Sequence, residues 1–290
     1  MDAEAPKPPS GRIALVVEGG GMRGIFASGV LDAFAEAAFA PFDLAIGTSA
    51  GACTLASHLA GQTGRNRRVF REQMCRPEFI SAWRYLRGGH YMDLDWLWDT
   101  LDAEDPLDVR AAAACPGVEF LVAATSATTG KPVYLKPDAP LLNPALKGSS
   151  AVPVLYRGPV DLGFEKVVDG GVADPIAAIE ARRRGAARIV VIRSRPSGYV
   201  KKEGLESWLG QQALRGFPQL SQAAARQAGV YREAVSFIHN PPDGCEITEI
   251  APPGPLRTGR TTQDRAALDA DYELGRKAGR EAMIAWLGRE

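Results

Sequence analysis

The sequence lacks several features that would assign a chain to a broad class at once. Lysines and arginines number 34 and aspartates and glutamates also number 34, so no excess of positive charge attracts the phosphates of a nucleic acid. The four cysteines, Cys53, Cys75, Cys115 and Cys245, form no C-x-x-C pair and are typical of reduced thiols in a cytosol. Neither nucleic-acid binding nor a disulfide-stapled fold is expected.

Long apolar runs are also absent. Charged residues, glycines or prolines interrupt every apolar stretch well before the about 18 residues of a membrane span. The first residues contain prolines and charges but no apolar core of a signal peptide. We therefore expect residues 1–11 to form a flexible tail and residues 12–290 a single domain of a cytoplasmic protein.

The first sixty residues twice repeat a strand, a glycine-containing turn and a helix. Residues 13–17 are apolar and β-branched, a glycine cluster follows, and residues 25–39 have helical spacing of apolar side chains. Residues 42–46 are again apolar and are followed by a turn at 47–51 and helix formers at 52–59. This repetition predicts an α/β layered fold with a parallel sheet.

The rest of the chain continues the alternation. Further strands are predicted at 118–124, 133–135, 166–168, 189–192 and 246–250, and further helices at 65–74, 94–101, 176–184, 220–237 and 263–287. Asp174 before Pro175 is typical of a helix start. The prolines and glycines of residues 252–259 predict a surface loop.

A G-x-S-x-G pattern lies between the second predicted strand and its helix. It reads Gly47-Thr48-Ser49-Ala50-Gly51, and in this setting a sharp turn holds the serine exposed above the sheet. Small residues are needed because the strand and the helix pass very close to each other. The alternative is that Ser49 only caps the helix that follows.

A glycine cluster follows the first predicted strand. Residues 18–24 read Glu-Gly-Gly-Gly-Met-Arg-Gly, and the amides of Gly19, Gly20 and Gly21 can turn inward beside the N-terminus of the next helix. Such a nest suits an oxyanion, and Arg23 could add charge or brace the loop. The cluster therefore predicts the anion-binding part of an acyl-transfer site.

The same glycines also fit a dinucleotide-binding pattern. Gly19, Gly21 and Gly24 satisfy G-x-G-x-x-G between a strand and a helix. That pattern requires an acidic residue at the end of the second strand, whereas Asp43 lies at its beginning. A dinucleotide-binding oxidoreductase is kept as an alternative.

Asp169 begins an Asp-Gly-Gly turn after the predicted strand at 166–168. By itself this is a common turn sequence. In an open parallel sheet, however, sites form outside the carboxyl ends of the strands. We therefore expect Asp169 at the same sheet edge as the two glycine loops.

Together these motifs resemble the patatin-like phospholipase family, over residues 12 to about 180. Its marks are a glycine-rich loop after the first strand, a G-x-S-x-G elbow and a later D-G-G or D-G-A turn, which correspond here to residues 18–24, 47–51 and 169–171. The Ser-Ser-Ala-Val-Pro run at 149–153 is also similar to a segment of that family. Glu18 stands where many members have Asp.

The resemblance implies a three-layer α/β/α fold with a central, mostly parallel sheet. It implies a lipid acyl hydrolase of the phospholipase A, lysophospholipase or carboxylesterase type that needs no metal or cofactor. Ser49 would be the nucleophile, Asp169 its base, and the loop from Gly19 to Gly21 with Arg23 the oxyanion hole. An aspartate is a weak base, so this site must hold it close to the hydroxyl and partly dry. The expected partner is a lipid or acyl ester, with possible peripheral contact to a membrane.

A histidine triad is the other esterase arrangement considered. His239 is the only histidine after Asp169, so a triad in the α/β-hydrolase order would be Ser49-Asp169-His239. We interpret His239 as a residue at the end of a helix. His58 and His90 are expected to be structural or exposed, and neither belongs to a metal-ligand spacing.

Two further groups stand out. One is an aromatic group, Phe79, Trp83, Tyr85, Tyr91, Trp96 and Trp98, with Arg84 and Arg87 between its members. We expect it to pack in the core, the alternative being an acyl-pocket wall or a lid at a bilayer interface. The basic runs at 65–68, 182–184 and 201–202 are expected to be solvated helix faces rather than contacts to anionic head groups.

Overall fold

The computed structural model describes residues 11–201, 214 and 216–288 of the chain. The predicted tail at 1–11, except for its last residue, and Lys202 of the last basic run lie outside these residues. The single-domain assignment of 12–290 stays a prediction.

The described residues form strands and helices in close alternation. The strands are β1 (Arg12–Val17), β2 (Leu44–Thr48), β3 (Glu119–Ser126), β4 (Pro132–Leu135), β5 (Val160–Asp161), β6 (Lys166–Asp169), β7 (Ala186–Ile192) and β8 (Glu246–Ile250). The helices are α1 (Gly24–Glu36), α2 (Ala50–Leu59), α3 (Arg65–Arg68), α4 (Ala82–Leu86), α5 (Leu94–Glu104), α6 (Val109–Ala113), α7 (Ala139–Ser149), α8 (Ala178–Arg183), α9 (Pro218–His239) and α10 (Arg265–Leu287). Short 3₁₀ turns cover Gly21–Arg23 and Gly170–Val172, and a π-helical turn covers Val69–Gln73.

The strands form one mixed sheet in the order β5-β6-β3-β2-β1-β7-β8, with β4 paired to β3. Strands β3, β2, β1, β7 and β8 run parallel. Strands β4 and β6 run antiparallel to β3, and β5 runs antiparallel to β6. The predicted central, mostly parallel sheet is confirmed.

Each face of the sheet is covered by helices, because the buried strands are apolar on both sides. On β1, Leu15 and Val17 pack in the cluster that includes residues of α1, α2, α7 and α10. Ala14 and Val16 point the other way, into the cluster that includes residues of α8 and α9. The three-layer α/β/α fold follows from this alternation.

Helices α1 and α10 approach each other backbone to backbone. A Cβ atom on Gly29 of α1 would lie 2.1 Å from the carbonyl oxygen of Tyr272, and one on Gly275 of α10 would lie 2.1 Å from that of Phe26. Only glycine leaves room for this contact. The last helix of the chain is thereby held against the first.

Several predicted boundaries differ from the structure. The helix predicted at 65–74 is α-helical only to Arg68, and the helix predicted from 176 begins at Ala178. Asp174 does not cap that helix, because its carboxylate accepts hydrogen bonds from the Tyr134 hydroxyl at 2.5 Å and the Ile176 amide at 3.3 Å. The helix start predicted at Asp174 is wrong because a tertiary partner occupies the side chain.

Helix α7 is absent from the sequence prediction. Pro140 lies in its first turn and Pro144 inside it, and a proline in the interior normally breaks a helix. The Asp138 carboxylate caps its N-terminus by accepting the amide of Leu141 at 3.0 Å. This helix ends at Ser149, which contacts the site described next.

Candidate active site

Ser49 occupies the sharp turn between β2 and α2. Its backbone has φ 55° and ψ −129°, a left-handed conformation that costs a non-glycine residue on the order of 1–3 kcal/mol. A Cβ atom on Gly47 would lie 2.4 Å from Cα of Ala52, and one on Gly51 would lie 2.4 Å from the carbonyl oxygen of Val17. The two glycines are required because strand and helix pass at van der Waals distance.

The strained turn is held by a contact from α7. The Ser49 amide donates to Oγ of Ser149 at 2.8 Å, and this hydroxyl in turn donates to the carbonyl of Ala123 at 2.6 Å. The Ser49 side chain makes no capping hydrogen bond to α2. The capping interpretation therefore does not account for this serine.

Asp169 lies near Ser49, as expected, but it follows an antiparallel strand and not the expected parallel one. Strand β6 runs antiparallel to β3, so its carboxyl end would normally lie at the opposite sheet edge. It pairs only with the last residues of β3, however, and Asp169 is opposite Ala124. The neighbouring Ala123 is opposite Thr48 of β2, which places Asp169 close to the residue that follows Thr48.

The Asp169 carboxylate is buried, and only one of its oxygens has a firm partner. Oδ1 accepts the amide of Gly171 at 2.8 Å. Oδ2 has no partner of normal hydrogen-bond geometry in the described chain, and the side chain that interacts with the carboxyl is the Ser49 hydroxyl. Burial raises the pKa of Asp169, while hydrogen bonding to Ser49 and Gly171 offsets part of that rise.

The glycine loop lies against the same turn. A Cβ atom on Gly19 would lie 2.9 Å from both Cβ of Ser49 and the carbonyl oxygen of Thr48, and Gly21 has φ +58°. Within the described ranges, no hydrogen bond takes up the amides of Gly19, Gly20 or Gly21. These amides are available to an anion that sits beside the Ser49 hydroxyl.

A buried polar network anchors this loop. The Glu18 carboxylate accepts from Nε of Arg193 at 3.1 Å, from the Ser194 amide at 2.7 Å and from the Tyr231 hydroxyl at 3.0 Å. Arg193 is completely buried and also binds Glu249. No local sequence signal pointed to this network, since its members come from four distant segments.

Arg23 is buried beneath the loop. Its side chain is 7% exposed, and its Nε has no partner in the part of the chain that the structure describes. Burial, together with the nearby positive charges of Arg195 and Arg260, lowers the pKa of Arg23 to about 10. Arg23 therefore belongs to a group of cationic side chains, and the sequence pointed to only one member of it.

Two cavities meet at Ser49. The first, the apolar cavity, has a volume of about 890 Å³ including its open mouth and is walled mainly by Phe70, Met74, Phe79, Leu94, Leu97 and Trp98. The second, the polar cavity, has a volume of about 1390 Å³ including its open mouth, and Glu18, Arg23, Asp169, Arg195, Lys201 and Arg260 are among its lining residues. Ser49, Gly21 and Arg260 line both.

The aromatic group is divided between different environments. Phe79 is fully buried, as expected for core packing, but with Trp98 it also lines the apolar cavity. Trp83 on α4 is 62% exposed, and Leu86 beside it is 76% exposed. The core-packing prediction is therefore wrong for Trp83.

The basic runs are less solvated than expected. Arg65 is buried, and its guanidinium donates to the Asp105 carbonyl and to Oγ of Ser57. Arg68 is half exposed and pairs with Asp105. Lys201 donates to Oε1 of Gln227 at 2.7 Å at the polar cavity. These basic side chains, which the sequence analysis expected on solvated helix faces, thus make hydrogen bonds and ion pairs within the fold.

The loop predicted at 252–259 is irregular, as expected, but part of it is buried. The amide and hydroxyl of Thr258 both donate to Asp271, at 2.8 and 2.7 Å. Just beyond, the carbonyl of Arg260 accepts the amide of Met22 at 3.0 Å. This loop therefore leads into a wall of the site that its composition did not reveal.

The histidines lie elsewhere. His239 interacts with Oγ of Ser197 at 3.0 Å and with Glu249 at 3.2 Å, and it lines neither cavity at Ser49. Burial lowers the pKa of His58 to about 4, and His90 accepts a backbone amide while stacking on an aromatic ring. The arrangement required for a Ser49-Asp169-His239 triad is not present.

The dinucleotide alternative gains no support from the structure. Asp43 lies just before β2, where its carboxylate accepts the amide of Ile13 at 2.8 Å. It is therefore at the amino end of the strand, away from the glycine loop. The position that a ribose would need at the end of β2 is held by Thr48 and Ser49, neither of which is acidic.

Membrane-spanning and metal-binding features are not found among the described residues. Across these ranges, no helix combines the length and hydropathy needed to cross a bilayer. The same residues contain no group of three or more His, Cys, Asp or Glu placed to hold a metal ion. All four cysteines are free thiols.

Comparison with known proteins gives three findings. A family model described as patatin-like phospholipase matches residues 15–182, and another, described as a domain of unknown function (DUF6363), matches residues 217–288. The uncharacterized protein YjjU of Escherichia coli (strain K12) is 40% identical over 285 residues, which are 96% of this chain and 79% of that protein. The crystal structure of VipD from Legionella pneumophila aligns with a TM-score of 0.49 at 16% identity and covers 94% of this chain and 67% of that one.

The first match covers more than half of the chain. It contains the glycine loop, the Ser49 turn and the Asp169 turn, which the fold brings together at one sheet edge. The chain therefore belongs to the patatin-like phospholipase family of lipid acyl hydrolases.

Proposed function

We propose that this protein hydrolyses acyl esters of lipids with Ser49 as nucleophile and Asp169 as general base. The observation that carries the proposal is the pairing of a strained serine with a buried carboxylate that has one oxygen without a firm partner. No histidine lines the cavities at this serine. A dyad is the arrangement that these contacts support.

The first half-reaction acylates the serine. Oγ of Ser49 attacks the ester carbonyl carbon while Asp169 accepts the hydroxyl proton, and the carbonyl oxygen becomes an oxyanion. The unclaimed amides of Gly19, Gly20 and Gly21 stabilise that charge. The carbon–oxygen bond to the alcohol then breaks, and the alcohol leaves with the proton from Asp169.

The second half-reaction releases the acid. Asp169 takes a proton from a water molecule whose oxygen attacks the acyl carbon, and the tetrahedral intermediate again forms beside the glycine amides. Collapse of the intermediate breaks the bond to Oγ, and Asp169 returns the proton to Ser49. A raised pKa makes Asp169 a stronger base than an exposed carboxylate.

The apolar cavity is proposed to hold the acyl chain. Its walls are aliphatic and aromatic, as is usual for sites that bind apolar groups. Burial of the chain in this cavity supplies the binding energy that orients the ester.

We propose that the protein acts in the cytoplasm, at a membrane surface. The exposed Trp83 and Leu86 lie on α4, shortly after Phe79 of the apolar cavity. An exposed tryptophan next to arginine side chains is suited to the interfacial region of a bilayer.

A fluorophosphonate probe tests the nucleophile. The probe should label the native protein and fail to label Ser49→Ala, and hydrolysis of p-nitrophenyl butyrate should fall by at least about 10³-fold in that variant. Labelling that persists in Ser49→Ala would remove the assignment.

A pair of variants tests the base. Asp169→Asn should reduce kcat by about 10²–10⁴-fold, because it removes the proton acceptor, whereas His239→Ala should retain kcat. Circular dichroism of both variants checks that they are folded. The reverse pattern would support the histidine triad.

A further inference from the structure

The polar cavity carries more positive than negative charge on its described walls. Arg23, Arg195, Lys201 and Arg260 line it, together with the carboxylates of Glu18 and Asp169. These cations come from three separate segments of the chain, and they influence one another or Asp169 through space. The fold therefore gathers positive charge beside Ser49.

The guanidinium of Arg23 lacks a hydrogen-bond acceptor for its Nε within the described residues. A buried guanidinium with an unpartnered Nε is costly unless an anion or another acceptor is supplied. The carboxylate that acts on it through space is that of Glu18, whose oxygens already accept from Arg193, Ser194 and Tyr231. An anion bound in the cavity would offset the positive charge of this guanidinium, which lines the cavity.

The aromatic rings among the described walls of this cavity are poorly placed for a quaternary ammonium group. Such a group binds over an open aromatic face, and the carboxylates of Glu18 and Asp169 are buried and already accept hydrogen bonds within the protein. The guanidinium of Arg195 lies 4.5 Å from the centre of the Tyr199 ring, and Nζ of Lys201 lies 5.8 Å from that of the Tyr231 ring. The two tyrosine rings of this cavity are thus already covered by cations.

Ser49 lies between this cavity and the apolar one. An ester carbonyl at Ser49 would therefore have its acyl chain in the apolar cavity and its alcohol portion in the polar cavity. Arg260 and Gly21 line both cavities and so mark the boundary. The alcohol portion of the substrate is the part that meets the arginines.

We propose that the polar cavity is a subsite for an anionic phosphate headgroup, so that the preferred substrates are acyl lipids with a net negative headgroup, of which lysophosphatidic acid is a simple example. The inference rests on the proposed function for the position of the ester. Arg23 and Arg195 contact the phosphate oxygens, as guanidinium groups do with planar hydrogen-bond donors.

Binding to the Ser49→Ala variant tests the subsite without turnover. Calorimetry below the micelle concentration compares decanoyl lysophosphatidic acid, decanoyl lysophosphatidylcholine and monodecanoylglycerol, which share one acyl chain. The first should bind at least about 10-fold more tightly than the other two, because charge-assisted hydrogen bonds to the phosphate are strong. Equal affinities would overturn the inference.

Arginine variants made in the same Ser49→Ala background locate the effect. Arg195→Gln should reduce the preference for lysophosphatidic acid by about 10-fold, and Arg195→Lys should restore part of it. Arg226→Gln is the matched control, because Arg226 is exposed on α9 and lines neither cavity. An equal loss in Arg226→Gln would show a general charge effect and would contradict the proposal.

Inorganic phosphate distinguishes a lipid subsite from a site for a free anion. It should bind to Ser49→Ala far more weakly than lysophosphatidic acid does, because it lacks the acyl chain that the apolar cavity would bury. Equal affinity for the two ligands would show a free-anion site and would overturn the headgroup subsite.

Hydrolysis of p-nitrophenyl butyrate separates the failure of this inference from the failure of the proposed function. This ester has no phosphate, so its Ser49-dependent hydrolysis reports on the hydrolase independently of the headgroup. Its absence would reject the hydrolase, while the binding comparison in Ser49→Ala would still decide the headgroup subsite.

Discussion

At the scale of single residues, the site combines two features that oppose stability. Ser49 holds a backbone conformation that a serine disfavours, and Asp169 is a carboxylate taken out of water. Both are tolerated because neighbouring groups hold them, notably the Ser149 hydroxyl and the Gly171 amide. Such local strain is common where a reactive group must be preorganised.

Asp169→Asn is predicted to stabilise the protein at neutral pH while removing activity. Burial raises the pKa of Asp169, so this group favours folding when protonated, and that contribution is lost as the pH rises through the raised pKa. The asparagine side chain is neutral, so it does not incur this cost, and its amide oxygen can still accept the hydrogen bond from the Gly171 amide. We expect Tm at pH 7 to be higher by up to about 4 °C, and the difference should shrink at acid pH. A lower Tm at pH 7 would contradict the argument.

At the scale of secondary-structure elements, the position of the glycine loop depends on strands and helices that are far from it in sequence. Arg193 follows β7, Glu249 lies in β8 and Tyr231 lies in α9, and all three meet at or next to the Glu18 carboxylate. The loop after β1 is therefore braced by the neighbouring strands β7 and β8 and by helix α9.

Arg193→Met is predicted to destabilise the protein by about 3–5 kcal/mol, because it leaves Glu18 buried without its cation. Urea unfolding measures this loss. Lys277→Met is the control: it removes an exposed ion pair with Glu281 on α10, and such pairs contribute about 0–1 kcal/mol. Comparable losses in the two variants would show that the buried pair has no special role.

At the scale of the whole molecule, the two ends of the described chain are packed together. Trp286 of α10 lies against Phe39 after α1, and Arg188 of β7 lies 3.7 Å from the centre of the same indole ring. Strand β8 extends the same sheet. These contacts support the prediction that residues 12–290 form a single domain, although a separate family model matches 217–288.

Unfolding in urea should therefore be one cooperative transition. Gly275→Leu forces a side chain against the carbonyl of Phe26, and overpacking of this kind costs about 1–3 kcal/mol or more. Tryptophan fluorescence and far-UV circular dichroism should shift together to a lower midpoint. Gly229→Leu, on an open face of α9, should not lower the midpoint and should raise it slightly, because leucine favours a helix more than glycine does. A split transition in Gly275→Leu would indicate two domains.

The sequence by itself determined the strand–turn–helix units, the glycine loop, the Ser49 elbow and the Asp169 turn. These features are local, since they depend on apolar periodicity and on glycines within a few residues of one another. Helix α7 was not predicted, because its two prolines are unusual within a helix. The prediction that Asp174 starts a helix was wrong, because the Tyr134 hydroxyl binds its carboxylate instead.

Only the tertiary structure decided what surrounds these motifs. The antiparallel pairing of β6 with the end of β3 places Asp169 beside Ser49, although the sequence argument assumed a parallel strand. Ser149, Arg195 and Arg260 reach the site from distant segments, and no local pattern singled out either arginine. The reason is physical: contacts between distant residues depend on strand order, register and helix packing, which short-range sequence patterns do not encode.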